Sequence, residues 1–433
     1  MSEVCFKDSG IEWIGEIPKH WEIGKVKHYY KMTTGFTPSS DNEFFYDDEN
    51  GHIWVTISDL KEKYIADSSS KISQFYVEQY KPKKTPKNSL LYSFKLSVGE
   101  VAFNKVDVFT NEAIASFFDN DNISLPFLYY SSRLIIFNAN ENIYGAKILN
   151  QELIKNAKIV FPPLQEQEAI ARYLDEKTQA IDELIATHQK SIEKLKNYRI
   201  SLISEVVTQG LDKNAKLKDS GIEWIGEIPE HWGTIKIGLA FEKIGSGTTP
   251  QSDNETYYDG DIPWVNSGDL NDSVLIETAK KVTLRALNDY SALKIYPRHT
   301  LVIAMYGATI GKVSLLGIDA CVNQACCTLN CSSFFEQKFV FYWFLGNRQN
   351  IINLGIGGGQ QNISQDIIKK IKIPLPPLQE QEAIAHYLDE KTQAIDELIS
   401  THQKSIEKLK NYRTSLISEA VMGKNLKGMN NGN

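Results

Sequence analysis

From Ile181 onward the chain places Ile181, Ile185, His188, Ile192, Leu195, Arg199, Leu202 and Val206 at alternating steps of four and three residues. That spacing lays one stripe along a helix that winds against another helix, the seam of a coiled coil. No proline or glycine interrupts the segment between Pro162-Pro163 and Gly210. The helix it predicts is about 45 residues long, roughly 65 to 70 Å at ~1.5 Å per residue. A second seam follows at Ile395, Ile399, His402, Ile406, Leu409, Arg413 and Leu416, between Pro376-Pro377 and Gly423. Elsewhere the pattern changes to short apolar or β-branched runs, such as Ser89 to Phe94 and Thr300 to Met305, separated by Gly, Asn, Asp and Pro. These runs predict strands with helices between them.

The two helical segments are copies. Pro162 to Val207 and Pro376 to Val421 differ only at Arg172/His386, Ala186/Ser400, Ile200/Thr414 and Val206/Ala420. Each copy follows a block that opens identically, Lys7 to Trp21 and Lys218 to Trp232 differing at a single position, and then diverges. Weaker matches persist inside the blocks: Thr33–Tyr46 with Gly245–Tyr258, Trp54–Leu60 with Trp264–Leu270, Asn111-Glu112-Ala113 with Asn323-Gln324-Ala325. A unit of opener, variable block and helix, repeated once, fixes the organisation. The expected domains are a head over 1–161, a helix over 162–208, a second head over 209–375, a second helix over 376–422 and a tail over 423–433. The expected fold class is α/β, two globular heads with mixed sheets joined by two long helices that form an antiparallel, pseudo-twofold coiled coil.

Charge supplies the orientation. The front half of the helix carries Glu166, Glu168, Asp175, Glu176, Asp182 and Glu183, and the back half Lys190, Lys194, Lys196 and Arg199. This gradient suits the helix dipole. Parallel pairing would stack acid on acid, and antiparallel pairing sets each acidic half beside a basic one. A register centred on Ile192 would bring His188 to Arg413 and Arg199 to His402, with a neutral imidazole accepting from the guanidinium.

Composition narrows the class. At 433 residues, 42% of them hydrophobic, the chain can bury several cores. It has no apolar run long enough to span a membrane and no signal peptide at its start, so a soluble cytoplasmic protein is expected. The net charge of −7 falls mainly on the helices, with 1–161 at −3 and 208–375 at −1. A nearly neutral head can still present a basic face. The five cysteines are Cys5 and the cluster Cys321, Cys326, Cys327 and Cys331, which lacks the paired spacing of a zinc site and reads as buried structural thiols.

At PPLQEQEAIA, present twice and each time after a TGxTP-like and WV-containing head, the chain resembles the specificity subunit of type I restriction-modification systems. The resemblance covers nearly the whole chain. It implies two target recognition domains, each reading half of a bipartite double-stranded DNA site, with the helices setting the spacing. It also implies two methyltransferase (modification) subunits docked on the frame, restriction subunits joining through them, and S-adenosylmethionine held by the partner rather than by this chain.

Polar positions in shared loops where the heads diverge are then the candidate DNA-reading residues. In the first head they are Thr37, Ser39, Ser40, Thr56, Ser58, Lys95 and Lys147; in the second, Thr249, Gln251, Asn266, Ser267, Tyr306, Lys312, Gln360 and Gln361. Asn, Gln and Ser suit base edges, and Lys suits guanine or phosphate. Taken singly, each reads more readily as a solvated loop residue or turn former; as a set they are the better candidates.

No catalytic set converges. The glycine run Gly355 to Gly359 lacks the lysine of a P-loop, the Pro-Pro pairs only begin helices, and Glu336-Gln337-Lys338 is an isolated nuclease-like fragment. His20 and His231, each before a tryptophan of the opener, read as structural. No metal and no cofactor are expected in this chain, which reads as a non-catalytic recognition subunit. The rival reading is a double-headed protein-binding adaptor with a coiled-coil spacer.

Overall fold

A computed structural model describes residues 5–119, 123–141, 147–355 and 362–424. The chain forms two compact units, one of Met1–Thr187 with Ser405–Asn433 and one of His188–Lys404, so the division falls within the long helices.

In the first unit, the run around Leu90 makes the middle of a five-stranded sheet ordered Lys31–Thr34, Ile114–Phe118, Leu90–Ser93, Val101–Asn104, Tyr64–Ile65. All its pairs are antiparallel except the last, which is parallel. A three-stranded sheet, Phe109–Thr110, His52–Val55, Lys71–Ile72, lies beside it and is likewise mixed. Side chains alternate across a strand, and the central strands are buried on both faces because a separate hydrophobic cluster packs against each. Leu90, Tyr92 and Phe117 join the helical residues Phe127 and Leu174 in one core. Leu91, Ala102 and Ile114 face the other way, toward Val55 and Val108.

The second unit repeats the arrangement. Its five-stranded sheet runs Lys243–Ser246, Cys326–Asn330, Leu301–Ala304, Val313–Leu316, Val274–Leu275, and its three-stranded sheet runs Lys280–Val282, Tyr258–Val265, Cys321–Val322. Leu301 and Ile303 pack toward the helices, Val302 and Ala304 toward Val265 and Val322. Cys321, Cys326 and Cys327 are buried strand residues, and burial pushes their thiols up to about 12. They fill the sheet as small hydrophobes.

The duplicated motif has a physical role in each unit. The long helices, Leu164–Gln209 and Leu378–Val421, start just after their proline pairs. Glu166 takes the His20 Nε2 at 2.7 Å and the buried Trp21 indole N–H at 2.8 Å, and Glu380 does the same for His231 at 2.7 Å and Trp232 at 2.9 Å. One residue on, buried Gln167 accepts from Ser124 N and donates to Pro162 O, as Gln381 accepts from Glu336 N and donates to Pro376 O. The LQEQE run therefore bolts opener, head and helix together. Glu336 proves to be a cap, accepting from Phe339 N at 2.8 Å, and Lys338 pairs with Asp389.

At the other end each helix stops at a glycine with positive φ, Gly210 at 75° and Gly423 at 76°. A Cβ on Gly423 would lie 2.6 Å from Pro18 and 2.9 Å from the Trp21 ring, and one on Gly210 would lie 3.1 Å from Trp232. Both conformation and space call for glycine there. In the first unit the end of the second helix thus lies beside Trp21, which is bonded to the start of the first helix. Further along, Arg413 Nε reaches Asp182 at 3.1 Å. The two helices are antiparallel. The second unit repeats this with Gly210 at Trp232 and Arg199 Nε at Asp396, 3.6 Å apart.

Ile181 and Leu416 are buried in the first unit, with Ile185, Leu409 and Arg413 half-buried beside them and Ile406 also half-buried. Leu202 and Ile395 are buried in the second, with Ile192, Leu195, Arg199, Ile399 and His402 half-buried. The register differs from the one expected. His188 Nδ1 meets His402 Nδ1 at 2.7 Å, and each seam arginine goes to an aspartate rather than to a histidine. A carboxylate offers a guanidinium a charge-assisted partner that a neutral imidazole cannot match. The two imidazoles satisfy one another as donor and acceptor. Since His188 and His402 are equivalent positions of the repeat, their meeting does not distinguish parallel from antiparallel helices; the Asp182–Arg413 pair does.

Candidate functional site

In each head the loops leaving the two sheets converge on the tripeptide Asn-x-Ala. In the first head, Gly35 lies so close to the strand end that a Cβ would fall 1.7 Å from the Thr110 carbonyl oxygen, and Phe36 N donates to that same oxygen at 2.9 Å. The loop that follows is pinned by the Tyr46 hydroxyl on Pro38 O at 2.9 Å and the Trp54 indole on Phe36 O at 3.0 Å. Asn111 N donates to Val55 O, and the Asn111 side chain accepts from Ala113 N at 3.1 Å, which turns Glu112 outward. The Glu112 carboxylate accepts from the Thr37 hydroxyl and lies 3.7 Å from Lys95 Nζ, both charged side chains being about half exposed at 48% and 51%. Phe94 N bonds to Ala113 O, so Lys95 begins its loop at the same place.

Thr56 joins from the end of the strand His52–Val55. Its hydroxyl donates to Asp59 at 2.8 Å and lies 2.8 Å from Ser58 Oγ, closing a capping box around the short turn Ile57–Asp59. Burial works to raise the Asp59 carboxyl, but hydrogen bonds from Thr56 and Ser69 outweigh it and hold the group below its ordinary range. An ionised carboxylate fixes this loop.

The second head builds the same scaffold. A Cβ on Gly247 would fall 1.6 Å from the Val322 carbonyl oxygen, and the Tyr258 hydroxyl holds Pro250 O at 2.6 Å. Asn323 N donates to Val265 O, and Asn323 accepts from Ala325 N at 3.0 Å. Thr249 donates to the side-chain oxygen of Gln324, as Thr37 does to Glu112. Met305 N bonds to Ala325 O, so Tyr306 stands where the first head has Lys95. Asn266 caps the turn Ser267–Asp269 and accepts from Asn323 Nδ2 at 3.2 Å.

The structure therefore brings Thr37, Thr56, Ser58 and Lys95 to one cluster and Thr249, Asn266, Ser267 and Tyr306 to its equivalent. Lys312 sits at the far end of the loop that Tyr306 opens, its N–H on Thr309 O. Ser39 and Ser40 lie on an exposed neighbouring turn, and Gln251 lies beside Thr249 with its N–H on the Tyr290 hydroxyl at 3.0 Å. Lys147 stands apart on the strand pair Asn140–Glu141 and Lys147–Ile148, bonded to Glu141. Gln360 and Gln361 lie outside the described residues.

Two residues at the centre, Glu112 and Gln324, are not among the positions that the sequence marks as candidates. The available signal was their disagreement inside an otherwise matched Asn-x-Ala.

Among the described residues no group of three metal-ligating side chains gathers, and no helix is long and apolar enough to cross a membrane. The family model for the type I restriction modification DNA specificity domain matches residues 18–197 and again 229–410. Each match spans a head and part of the helix after it. The chain is 26% identical to the putative type I restriction enzyme MjaX specificity subunit of Methanocaldococcus jannaschii, over 95% of this chain and 95% of that protein. A chain solved in work on complex assembly and conformational transition of the type I R-M system matches with a TM-score of 0.73 at 16% identity, covering 94% of this chain and 99% of that one. The HsdS subunit of Thermoanaerobacter tengcongensis matches with a TM-score of 0.55 at 16% identity, covering 94% and 98%. The repeated head, its equivalent loop clusters and the near full-length matches lead to one assignment: this chain belongs to the type I restriction-modification DNA specificity subunits.

Proposed function

We propose that the chain selects an asymmetric, two-part site in double-stranded DNA, the first head reading one half and the second head the other. The observation that carries this is the pair of equivalent loop clusters, held by the same backbone bonds but ending in different side chains: Lys95 and Glu112 in one, Tyr306 and Gln324 in the other. A scaffold kept the same beneath altered polar tips is what two readers of different sequences require. The near-identical helices supply a common frame on which two modification subunits dock, with restriction subunits reaching the complex through them. Methyl transfer and S-adenosylmethionine belong to those partners, and this chain contributes recognition without catalysis. Its work lies in the cytoplasm, with the DNA.

The test is to express the chain with its modification subunits and map methylated bases across a genome. A single motif of two unlike blocks separated by a fixed spacer is expected. Methylation scattered without a motif, or efficient methylation by the chain alone, would remove the proposal.

A further inference from the structure

We infer that the position shared by Glu112 and Gln324, together with the Lys95/Tyr306 position beside it, sets which base pair each head demands at one place in its half-site. The inference rests on the DNA-reading proposal above and goes beyond it by naming residues and bases. Glu112 is a carboxylate at the tip of a loop cluster, half exposed, with Lys95 Nζ 3.7 Å away. Such a group is a poor companion for phosphates, so on a DNA face it is tolerable only where it meets a donor. In the major groove the exocyclic amine of cytosine is that donor, while the O6 and N7 of the paired guanine are acceptors suited to a lysine ammonium. Lys95 and Glu112 together therefore match the two edges of one G·C pair.

The second head offers a neutral version at the same place. Gln324 has its side-chain oxygen held by Thr249, and among the described residues nothing takes its amide N–H groups. An oxygen acceptor beside a free amide donor matches adenine N6 and N7. Tyr306 carries no charge and lends an aromatic edge where Lys95 would have contacted guanine. The first head thus demands G·C at this place and the second demands A·T.

The equivalence of the two scaffolds provides a clean exchange. Glu112→Gln keeps an oxygen that can accept from Thr37, as Gln324 does from Thr249, so the loop keeps its hydrogen bond while the recognition chemistry changes. Methylated bases are mapped for complexes of the full chain with its modification subunits, using the native chain, Glu112→Gln, Gln324→Glu and Lys95→Tyr. For Glu112→Gln the expected result is that one G·C position of the first half-site accepts A·T, a relative shift of roughly 5- to 150-fold, with the second half-site untouched. Gln324→Glu should alter one A·T position of the second half-site alone, and Lys95→Tyr should weaken the guanine requirement at the Glu112 position. Unchanged motifs in assembled variants at native methylation rates overturn the inference, as does a loss spread equally over both half-sites. If Glu112→Gln fails to assemble, Lys95→Tyr decides the question by the same criterion. A native chain that yields no two-part motif defeats the functional reading itself, an outcome distinct from either.

Discussion

The two heads share their scaffold down to single hydrogen bonds and differ where those bonds end. Asn111 and Asn323 hold the same turn, Thr37 and Thr249 donate to the same position, and Gly35 and Gly247 allow the same close approach to a carbonyl. The tips read Lys and Glu in one head and Tyr and Gln in the other. A second contrast lies in how equal ends are reached by different residues. Asp175 and Asp389 are equivalent helix positions, each bonded to a tyrosine of its head, Tyr130 and Tyr342, and each neutralised by a lysine. That lysine is Lys63, from the loop before Tyr64–Ile65, in the first unit and Lys338, from the helix Gln337–Gly346, in the second. Burial first, and the aspartate second, push both tyrosine hydroxyls above their ordinary range, so they remain donors to the carboxylates. The fold preserves the interaction and lets its source drift.

The sharpest way to break the claim of equivalent units is to remove their anchors. Trp21→Ala and Trp232→Ala each delete a fully buried indole and should destabilise their own unit by about 3–5 kcal/mol. Denaturant unfolding of both variants checks this, and a large loss in one with none in the other would show that the units are not built alike. Glu166→Ala and Glu380→Ala leave the same indole N–H without its partner and should cost about 1–3 kcal/mol each by the same measurement. Arg413→Ala and Arg199→Ala remove partly exposed ion pairs, for which at most about 1 kcal/mol is expected. Cysteines placed at Asp182 and Arg413 should oxidise to a disulfide in preference to cysteines at Asp182 and Asp396, and the reverse preference would contradict the antiparallel helices. Smallest in energetic terms, the thiols of Cys321, Cys326 and Cys327 should resist alkylation in the folded chain while exposed Cys5 reacts, which mass spectrometry of labelled peptides reads directly.

Much of this was legible in the residues. The seam spacing and proline pairs located both helices, the charge gradient gave their direction, and the apolar runs around Leu90 and Leu301 marked the central strands. Register is not legible in the polar members of the seam themselves. Asp182 and Asp396 sit one position beyond the stripe, yet from there they capture the arginines and leave the histidines to each other. The centre of each loop cluster was hidden for a different reason: an acidic residue is set aside when DNA-facing positions are sought by charge. The sequence match of Asn111-Glu112-Ala113 with Asn323-Gln324-Ala325 makes Glu112 and Gln324 equivalent, but only the converging backbone bonds put that position at the centre of the cluster. The exchange of Lys63 for Lys338 lay equally out of reach, since residues far apart in the repeat pattern meet the same carboxylate only in the folded units.

The central claim, that each head reads its own half-site on a common frame, is tested most directly by making the heads alike. A chain whose second head, residues 209–375, is replaced by the corresponding part of the first is expressed with the modification subunits, and its methylated bases are mapped. The account predicts a motif containing the first head's half-site twice and no remnant of the second half-site. Retention of the original asymmetric motif, or methylation with no motif in an assembled complex, would contradict it.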